Sequence, residues 1–200
     1  MHEKVHGEGH ERGRETRSRL RELALQLFAE QGYEQTSLRE IAERLGVTKA
    51  ALYYYYKSKE DIVRDLVEDY MAQIDQLIAW GKDQPRSAET RAEIVRRYLD
   101  IIVNGTAVFR LLHQNQAAVS SLAAAKERGE LFRERIDALI GLLTEPGAPM
   151  HDEIRAASCL MSISFCSMHY QDKASQAELK DAVLDVALEL ANAAPAEASA

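Results

Sequence analysis

The sequence predicts an all-α protein, and three observations support that fold class. Apolar residues recur at intervals of three and four along most of the chain, which places them on one face of a helix. No segment alternates apolar and polar residues with the period of two that is typical of half-buried strands. The 200 residues are 46% hydrophobic and 28% charged, so the chain has enough apolar material for a globular core.

The first helix is predicted to follow a flexible arm. Residues 1–13 lack apolar periodicity, and Gly7 and Gly9 disfavour a helix there. From Glu15 onward the apolar residues recur at helical spacing, and Gly32 provides a C-terminal stop. The arm contains three histidines at intervals of four, which a helix would align for a metal ion. Because no helix is expected there, no metal site is predicted for His2, His6 and His10.

Two short helices come next, separated by a tight turn. Ser37 begins an S-x-x-E capping box, so the second helix is expected to run from there to about Leu45. Gly46 breaks that helix, and Thr48 can cap a third helix that begins at Lys49. A helix, a glycine turn and another helix make the helix-turn-helix arrangement.

A longer series of helices follows. The residues from Ser58 to Asp61 offer another cap, and an apolar stripe sustains one long helix over Glu60–Trp80. A break at Gly81–Pro85 and a loop at Thr144–Pro149 interrupt the later pattern. Five of the later helical segments have predicted bounds, namely Ser87–Asn104, Ala107–Gln114, Ala117–Arg128, His151–Tyr170 and Gln176–Asn192. A further helix is introduced by Gly129 and includes Leu143.

This pattern divides the chain into four parts. Residues 1–13 are the flexible arm, residues 14–58 the helix-turn-helix module, and residues 59–193 a larger helical domain. Residues 194–200 are predicted to be a disordered tail.

Composition and charge exclude several classes of function. The N-terminus lacks an apolar leader segment and the apolar runs are too short to span a bilayer, so we expect a cytoplasmic protein without a membrane partner. Cys159 and Cys166 are seven residues apart on one helix, about 10 Å, which is beyond disulfide reach. No phosphate-binding glycine loop, metal-ligand spacing or nucleophile motif occurs, so neither an enzyme nor a cofactor is predicted.

The charge is unevenly distributed. Residues 11–59 contain ten Lys and Arg against seven Asp and Glu, a net charge of +3. The whole-chain charge of −7 therefore leaves −10 for the remaining residues. A basic first quarter on an acidic body indicates that the N-terminal module meets a polyanion, although a basic face is more often simply solvated.

Four consecutive tyrosines lie in the third helix. Each helical residue turns by about 100°, so Tyr56 shares a face with Leu52 while Tyr53 and Tyr54 point elsewhere. We expect Tyr56 in the core, and Tyr53 and Tyr54 exposed beside Lys49. Exposed tyrosines can donate hydrogen bonds to phosphates and contact thymine methyl groups with their ring edges. A single ring could merely cover a thin core, but adjacent rings that point in different directions cannot all do so.

One stretch resembles a known family. The sequence FAEQGYEQTSLREIAERLGVTKAALYYYYKSKEDIV, from Phe28 to Val63, is similar to the DNA-binding module of the tetracycline-repressor (TetR) family of bacterial regulators. The similarity lies in the Gly-Tyr before a Thr-Ser cap, the Ile-Ala-x-x-Leu-Gly-Val helix and turn, the Leu-Tyr-x-Tyr recognition helix, and the Ser-Lys-Glu start of the next helix. It covers about a quarter of the chain.

The resemblance implies a set of DNA-binding residues. Recognition-helix positions of the family match Thr48, Lys49, Ala50, Tyr53, Tyr54 and Tyr55 in this sequence. Lys59 matches a lysine that binds a phosphate, and Arg39 matches a further base or backbone contact. Ala50 and Ala51 stand where the family often has Gly, Pro or Thr, so they offer methyl contacts and close approach without hydrogen bonds.

The resemblance also implies a homodimer formed by the last two helices, a palindromic double-stranded DNA operator and a small-molecule effector that releases a repressor. The dimer face is expected to include Ile154, Ala157, Ser158, Met161, Phe165 and Met168, with Leu179, Val183, Val186, Ala187 and Leu190. At least half of these apolar residues are expected to serve the internal core instead. The predicted effector pocket, with a weak preference for an apolar ligand, is lined by Tyr98, Phe109, His113, Phe132, Phe165 and His169, and Trp80 could join it. The alternative function is a helical interaction protein that keeps the fold without reading DNA.

Overall fold

Helices make up the regular structure in the computed structural model of the protein, which describes residues 5–114 and 125–192. The all-α prediction is confirmed. Within these ranges none of the helices has the length and apolar character needed to cross a membrane. The described helices are α1 Val5–Gln31, α2 Leu38–Leu45, α3 Lys49–Tyr55, α4 Lys59–Lys82, α5 Ala88–Gln114, α6 Ala125–Leu143, α7 Met150–His169 and α8 Gln176–Asn192.

The chain forms two compact units that are interleaved along the sequence. The first unit contains residues 1–69 and 107–121, and the second contains residues 70–106 and 122–200. Both α4 and α5 therefore contribute residues to each unit. The sequence instead predicts one boundary after residue 58, at the start of α4.

The difference arises because the first turns of α4 belong to the first unit. Ile62 and Val63 are buried there, and the Asp65 carboxylate accepts hydrogen bonds from Arg17 on α1. Periodicity shows that α4 is one helix, but it does not show which neighbours each turn contacts. The buried apolar side chains of the first unit include Leu20, Leu27 and Phe28 of α1, Ile41 of α2 and Leu52 of α3.

Helix α1 is longer than the sequence predicts. Its residues from Val5 to residue 13 are helical, so the flexible arm predicted for residues 1–13 is wrong over that part, and residues 1–4 lie outside the described residues. An interior glycine costs about 1 kcal/mol relative to alanine. Extending an existing helix adds a backbone hydrogen bond per residue, so Gly7 and Gly9 do not stop a helix that is already anchored by its buried C-terminal half.

Helix α5 is continuous from Ala88 to Gln114, whereas the sequence predicts two helices that separate after Asn104. Gly105 lies inside α5, and a Cβ atom there would come within 2.4 Å of the Tyr70 ring of α4. The glycine thus permits close contact between two helices of the second unit and does not break α5.

Helix α6 also differs from the prediction. It begins at Ala125 and includes Gly129, which the sequence assigns to the start of a new helix. The predicted segment Ala117–Arg128 lies partly outside the described residues, and the predicted tail, residues 194–200, lies entirely outside them. The side chains buried in the second unit include Ile74 of α4, Ile94, Tyr98 and Leu99 of α5, Leu139 of α6, Leu160 and Ile163 of α7, and Val183 and Ala187 of α8.

Candidate nucleic-acid interface

The turn between α2 and α3 is built as the sequence predicts. The Ser37 hydroxyl accepts a hydrogen bond from the Glu40 amide at 3.2 Å and caps α2. Gly46 ends α2 with φ of +74°, a left-handed conformation that favours glycine. The Thr48 hydroxyl then accepts from the Ala51 amide at 3.1 Å and caps α3. These local hydrogen bonds fix where α3 begins.

The four tyrosines divide between surface and core. Tyr54 is 79% exposed and Tyr56 is 2% exposed, which confirms the expected core position of Tyr56. The rings of Tyr54 and Tyr55 meet edge to face with their centroids 5.1 Å apart. Tyr55 is half-buried, and its hydroxyl lies 3.8 Å from the position that a Cβ atom would occupy at Gly13 of α1. Tyr54 is therefore the ring that projects farthest into solvent.

Two cations lie beside Tyr53. The Lys49 ammonium is 5.5 Å from the centroid of the exposed Tyr53 ring. The Lys57 ammonium donates a hydrogen bond to the Tyr53 carbonyl at 2.8 Å, which compensates a carbonyl near the C-terminus of α3. Lys49 at the Tyr53 ring and Lys57 at the backbone of the same residue place positive charge beside the aromatic surface of α3.

Arg39 of α2 lies on the exposed surface of the same unit. Its guanidinium forms an ion pair with Glu43 one turn later at 2.7 Å, and hydrogen bonding to Glu43 raises the pKa of Arg39 above its ordinary value. An exposed pair of this kind contributes little to stability. Arg39 can therefore exchange its partner for a phosphate at small cost.

Lys59, the predicted phosphate contact, has partners within its own module. Its ammonium donates to the Tyr33 carbonyl at 2.6 Å and lies 4.3 Å from the centroid of the Tyr33 ring. The same ring donates its hydroxyl to Glu60 at 2.8 Å. Burial raises the pKa of Tyr33, and the bond to Glu60 adds to that effect. Lys59 thus holds the end of α1 to the start of α4.

A buried carboxylate near α3 is absent from the sequence predictions. Asp65 is 8% exposed, and it accepts hydrogen bonds from the Tyr56 hydroxyl and from Arg17. The signal in the sequence is an acid inside the apolar stripe of α4, between Val63 and Leu66. An acid at such a position needs a partner, but the sequence alone does not identify the partner.

The residues predicted to line an effector pocket occupy different environments. Tyr98 is fully buried and its hydroxyl is 3.0 Å from the Ser164 hydroxyl. Phe165 and His169 instead stack on each other with centroids 5.2 Å apart, and both are exposed. The exposed position of this pair does not support a place in an enclosed pocket. Phe132 is half-buried, and the side chains of Phe109 and His113 lie outside the described residues.

An exposed apolar stripe runs along α7. Four apolar residues of α7 that are predicted for a dimer face have more than two fifths of their surface exposed, namely Ile154, Met161, Phe165 and Met168, and Val186 of α8 is exposed to a similar degree. Val183 and Ala187 of α8, which the same prediction includes, are buried. Beside the stripe, an open groove of about 640 Å³ between α7 and α8 is lined by residues that include Cys166, Leu179 and Val186.

Comparison with known proteins identifies the helix-turn-helix region. The family model described as bacterial regulatory proteins, tetR family, matches residues 20–66. The fatty acid metabolism regulator protein of Bacillus subtilis is 27% identical over 125 residues, which are 62% of this chain and 64% of that protein. The transcriptional regulator AcrR of Shigella flexneri is 44% identical over 54 residues, which are 27% of this chain and 25% of that protein. The chain thus spans less than two thirds of the length of each relative.

Solved structures share the fold over nearly the whole chain. A transcriptional regulator from Aquifex aeolicus has a TM-score of 0.63 at 23% identity, covering 86% of this chain and 96% of that one. The regulator FadR from Bacillus subtilis, solved in complex with stearoyl-CoA, has a TM-score of 0.60 at 21% identity, covering 86% of this chain and 97% of that one. Residues 20–66 thus match the tetR family of bacterial regulatory proteins, and the chain shares its overall fold with these solved regulators.

Proposed function

We propose that the protein is a transcriptional repressor that binds a palindromic DNA operator as a homodimer and is released by a small molecule. The observation that carries this proposal is the exposed Tyr54 on α3, a helix capped by Thr48 within the region that matches the family. An aromatic side chain with 79% of its surface in water adds nothing to the core. In a DNA groove this side chain could contact phosphates and base edges.

The contacts with DNA follow from the chemistry of this surface. The hydroxyls of Tyr53 and Tyr54 can donate to phosphate oxygens, and their ring edges can contact thymine methyl groups. Lys49, beside the Tyr53 ring, and Arg39 on α2 supply positive charge for the backbone. Ala50 is exposed at the start of α3 and allows close approach to the groove. Thr48 and Tyr55 remain proposed contacts, although Thr48 already caps α3.

A homodimer supplies the second recognition helix. One module buries only about 600–1,000 Å² on DNA, too little for tight specific binding. Two copies with recognition helices about 34–36 Å apart reach successive major grooves and require a palindromic site. The exposed stripe of α7, with Met161 and Phe165 near its centre, is the surface that we assign to the partner copy.

The effector is proposed to be a molecule with a long apolar part. This class is supported by the Bacillus subtilis relative named as a fatty acid metabolism regulator and by the neighbouring structure solved with stearoyl-CoA. Release requires that the effector bind one conformation better than another, because differential affinity is the energy source of the switch. Stearoyl-CoA added to the operator complex is therefore expected to lower the fraction of DNA bound. An unchanged fraction with both stearoyl-CoA and free stearate would contradict this class.

A salt titration on the promoter fragment upstream of its own gene tests the DNA-binding function. Phosphate neutralisation predicts that the logarithm of the affinity falls linearly with the logarithm of the salt concentration. Binding should also survive competitor DNA. Weak binding that does not depend on sequence would favour the alternative, a helical interaction protein that does not read DNA.

Tyr54→Ala and Tyr54→Phe are the matched variants for the same assay. The alanine variant should lose affinity with its melting temperature unchanged, because the ring packs at the surface. The phenylalanine variant retains the ring and isolates the contribution of the hydroxyl. Equal affinity of wild type and both variants would show that α3 does not present Tyr54 to DNA.

A further inference from the structure

Asp65 is a charged group on the buried side of α4 in the first unit. It is 8% exposed, and its neighbours Ile62 and Leu66 are buried. The Arg17 guanidinium donates to both carboxylate oxygens, from Nε to Oδ2 at 2.8 Å and from Nη2 to Oδ1 at 2.8 Å. Such a two-point contact fixes direction as well as distance.

A second arginine of α1 also faces this carboxylate. Arg21 Nε lies 3.8 Å from Asp65 Oδ2, and Arg21 Nη1 lies 3.0 Å from Asp69 Oδ1. A buried carboxylate is tolerated when its charge is compensated and its lone pairs are used. Two arginines provide that compensation, so Asp65 is held firmly against α1.

The third donor to Asp65 comes from the end of α3. Tyr56 donates its hydroxyl to Asp65 Oδ2, while its backbone amide donates to the Leu52 carbonyl at 3.0 Å. Tyr56 is the residue at which α3 ends and the backbone becomes extended. Burial and the bond to Asp65 raise the pKa of Tyr56, although Arg17 opposes them, so the hydroxyl stays a donor at neutral pH.

Helix α3 needs such an anchor because it makes few core contacts of its own. It contains seven residues, of which Leu52 is the buried one. Isolated helices shorter than about 12–15 residues are marginal in water. The orientation of α3 therefore depends on Leu52, on the cap at Thr48, and on whatever holds Tyr56.

We propose that Asp65 is a positioning residue for DNA binding: by holding Tyr56 between α1 and α4, it sets the orientation of α3 and of the exposed Tyr54. This inference rests on the proposed role of α3 as the recognition helix. Asp65 does not touch DNA in this proposal. It acts through Tyr56, and Arg17 completes the network.

The chain offers a matched control for the test. Tyr33 is 3% exposed and also donates its hydroxyl to a carboxylate of α4, that of Glu60, at 2.8 Å. Tyr56→Phe and Tyr33→Phe each remove one buried hydroxyl that binds an acid of α4. Tyr56 follows α3, whereas Tyr33 follows α1. A purely structural role predicts similar effects of both variants on stability and on DNA affinity.

The experiment measures amide hydrogen exchange in α3, thermal stability and affinity for the promoter fragment. A hydrogen bond to a charged group contributes more to stability than a neutral one does. Tyr56→Phe and Asp65→Asn should therefore each weaken DNA binding about tenfold or more. Both variants should also speed hydrogen exchange of the Tyr55 and Tyr56 amides. Tyr33→Phe should change affinity by less than about twofold even if it lowers the melting temperature similarly. The double variant of Tyr56 and Asp65 should lose less than the two single losses combined.

Two outcomes overturn the proposal. One is a loss of affinity in Tyr56→Phe no larger than that in Tyr33→Phe, and the other is unchanged exchange of the α3 amides in Asp65→Asn. Failure of the proposed function is distinct, because then the wild-type protein itself does not bind the fragment, or binds it regardless of Tyr54→Ala. In that case the proposed role of Asp65 in positioning α3 for DNA is also wrong.

Discussion

At the residue scale, two tyrosines only two positions apart have opposite environments. Tyr56 is buried beneath α3 and Tyr54 is exposed on it. Truncating a buried aromatic side chain removes its transfer free energy and leaves a cavity, so Tyr56→Ala should lower the free energy of unfolding by about 3–5 kcal/mol. Tyr54→Ala should leave it nearly unchanged. Denaturant unfolding of both variants measures the difference, and equal losses would contradict the assignment of the two rings.

Two helical glycines provide a second prediction at this scale. A Cβ atom at Gly105 would clash with the Tyr70 ring at 2.4 Å, whereas one at Gly141 would meet nothing within 4 Å. Gly105→Ala should therefore destabilise the protein by about 1–3 kcal/mol through overpacking. Gly141→Ala should stabilise it by about 0.5–1 kcal/mol, because alanine is the better helix former. Thermal melts compare the two, and a stabilised Gly105→Ala variant would show that α4 and α5 are not packed so closely.

The residues that could be predicted from sequence are those whose partners are near in the chain. Thr48 and Ser37 cap helices three residues ahead, and Tyr56 shares a face with Leu52 four residues earlier. Asp65 binds Arg17, 48 positions away, and Lys59 binds the carbonyl of Tyr33, 26 positions away. No spacing rule connects such residues. The anchor of α3 therefore becomes visible only in the folded structure.

At the element scale, the start of α4 depends on a carboxylate. Asp61 Oδ2 accepts hydrogen bonds from the amides of Lys57 and Ser58, each at 3.0 Å, and the Ser58 hydroxyl accepts from the Asp61 amide at 3.1 Å. Burial would raise the pKa of Asp61, but the bonds from these amides and from the Ser58 side chain, together with the charge of Arg64, outweigh it and lower that pKa. This is the reciprocal capping box that the sequence indicates at Ser58 to Asp61.

The lowered pKa fixes the sign of a pH dependence. The stabilisation from ionised Asp61 is complete above the ordinary aspartate pKa, about 3.9, and is lost as pH falls through the lower folded-state value. Asp61→Asn should therefore be less stable than the wild type by about 1 kcal/mol at pH 6, and the difference should shrink as pH falls below about 3.9. Urea unfolding at several pH values measures it. A difference that stays constant down to pH 3 would exclude ionisation of Asp61 as its source.

Two helices show where local pattern fails at this scale. Gly7 and Gly9 weaken the periodic signal at the start of α1, yet the helix includes them. Glycine often ends a helix, yet Gly105 lies within α5. The Tyr70 ring occupies the space that a side chain at this position would need. Whether a glycine ends a helix or allows another helix to pack closely depends on the position of that other helix. Helix propensity carries no information about that position.

At the scale of the whole molecule, the sequence predicts the fold class and the helix-turn-helix module but leaves the use of α7 undecided. The sequence predicts Phe165 both in a dimer face and in an effector pocket, because an apolar stripe has the same spacing whether it meets the core of its own chain or another protein. The structure exposes Phe165 together with Met161 and Met168 while it buries Leu160 and Ile163 on the other side of α7. Both sides of this helix are therefore apolar, and within the described part of the chain only the inner side is covered.

The exposed stripe leads to the last prediction. Phe165→Glu places a charge on the proposed dimer face, where 56% of the native side chain is exposed, so the isolated subunit should keep its stability. In the dimer the charge would lose its water without gaining a partner, which costs several kcal/mol. Sedimentation equilibrium should then find monomers where the wild type is dimeric, and operator affinity should fall because one module contacts only half of a palindrome. Gln76→Glu, at an exposed position of α4 in the same unit, adds the same charge and should change neither property. A dimeric Phe165→Glu variant with full operator affinity would move the interface away from α7.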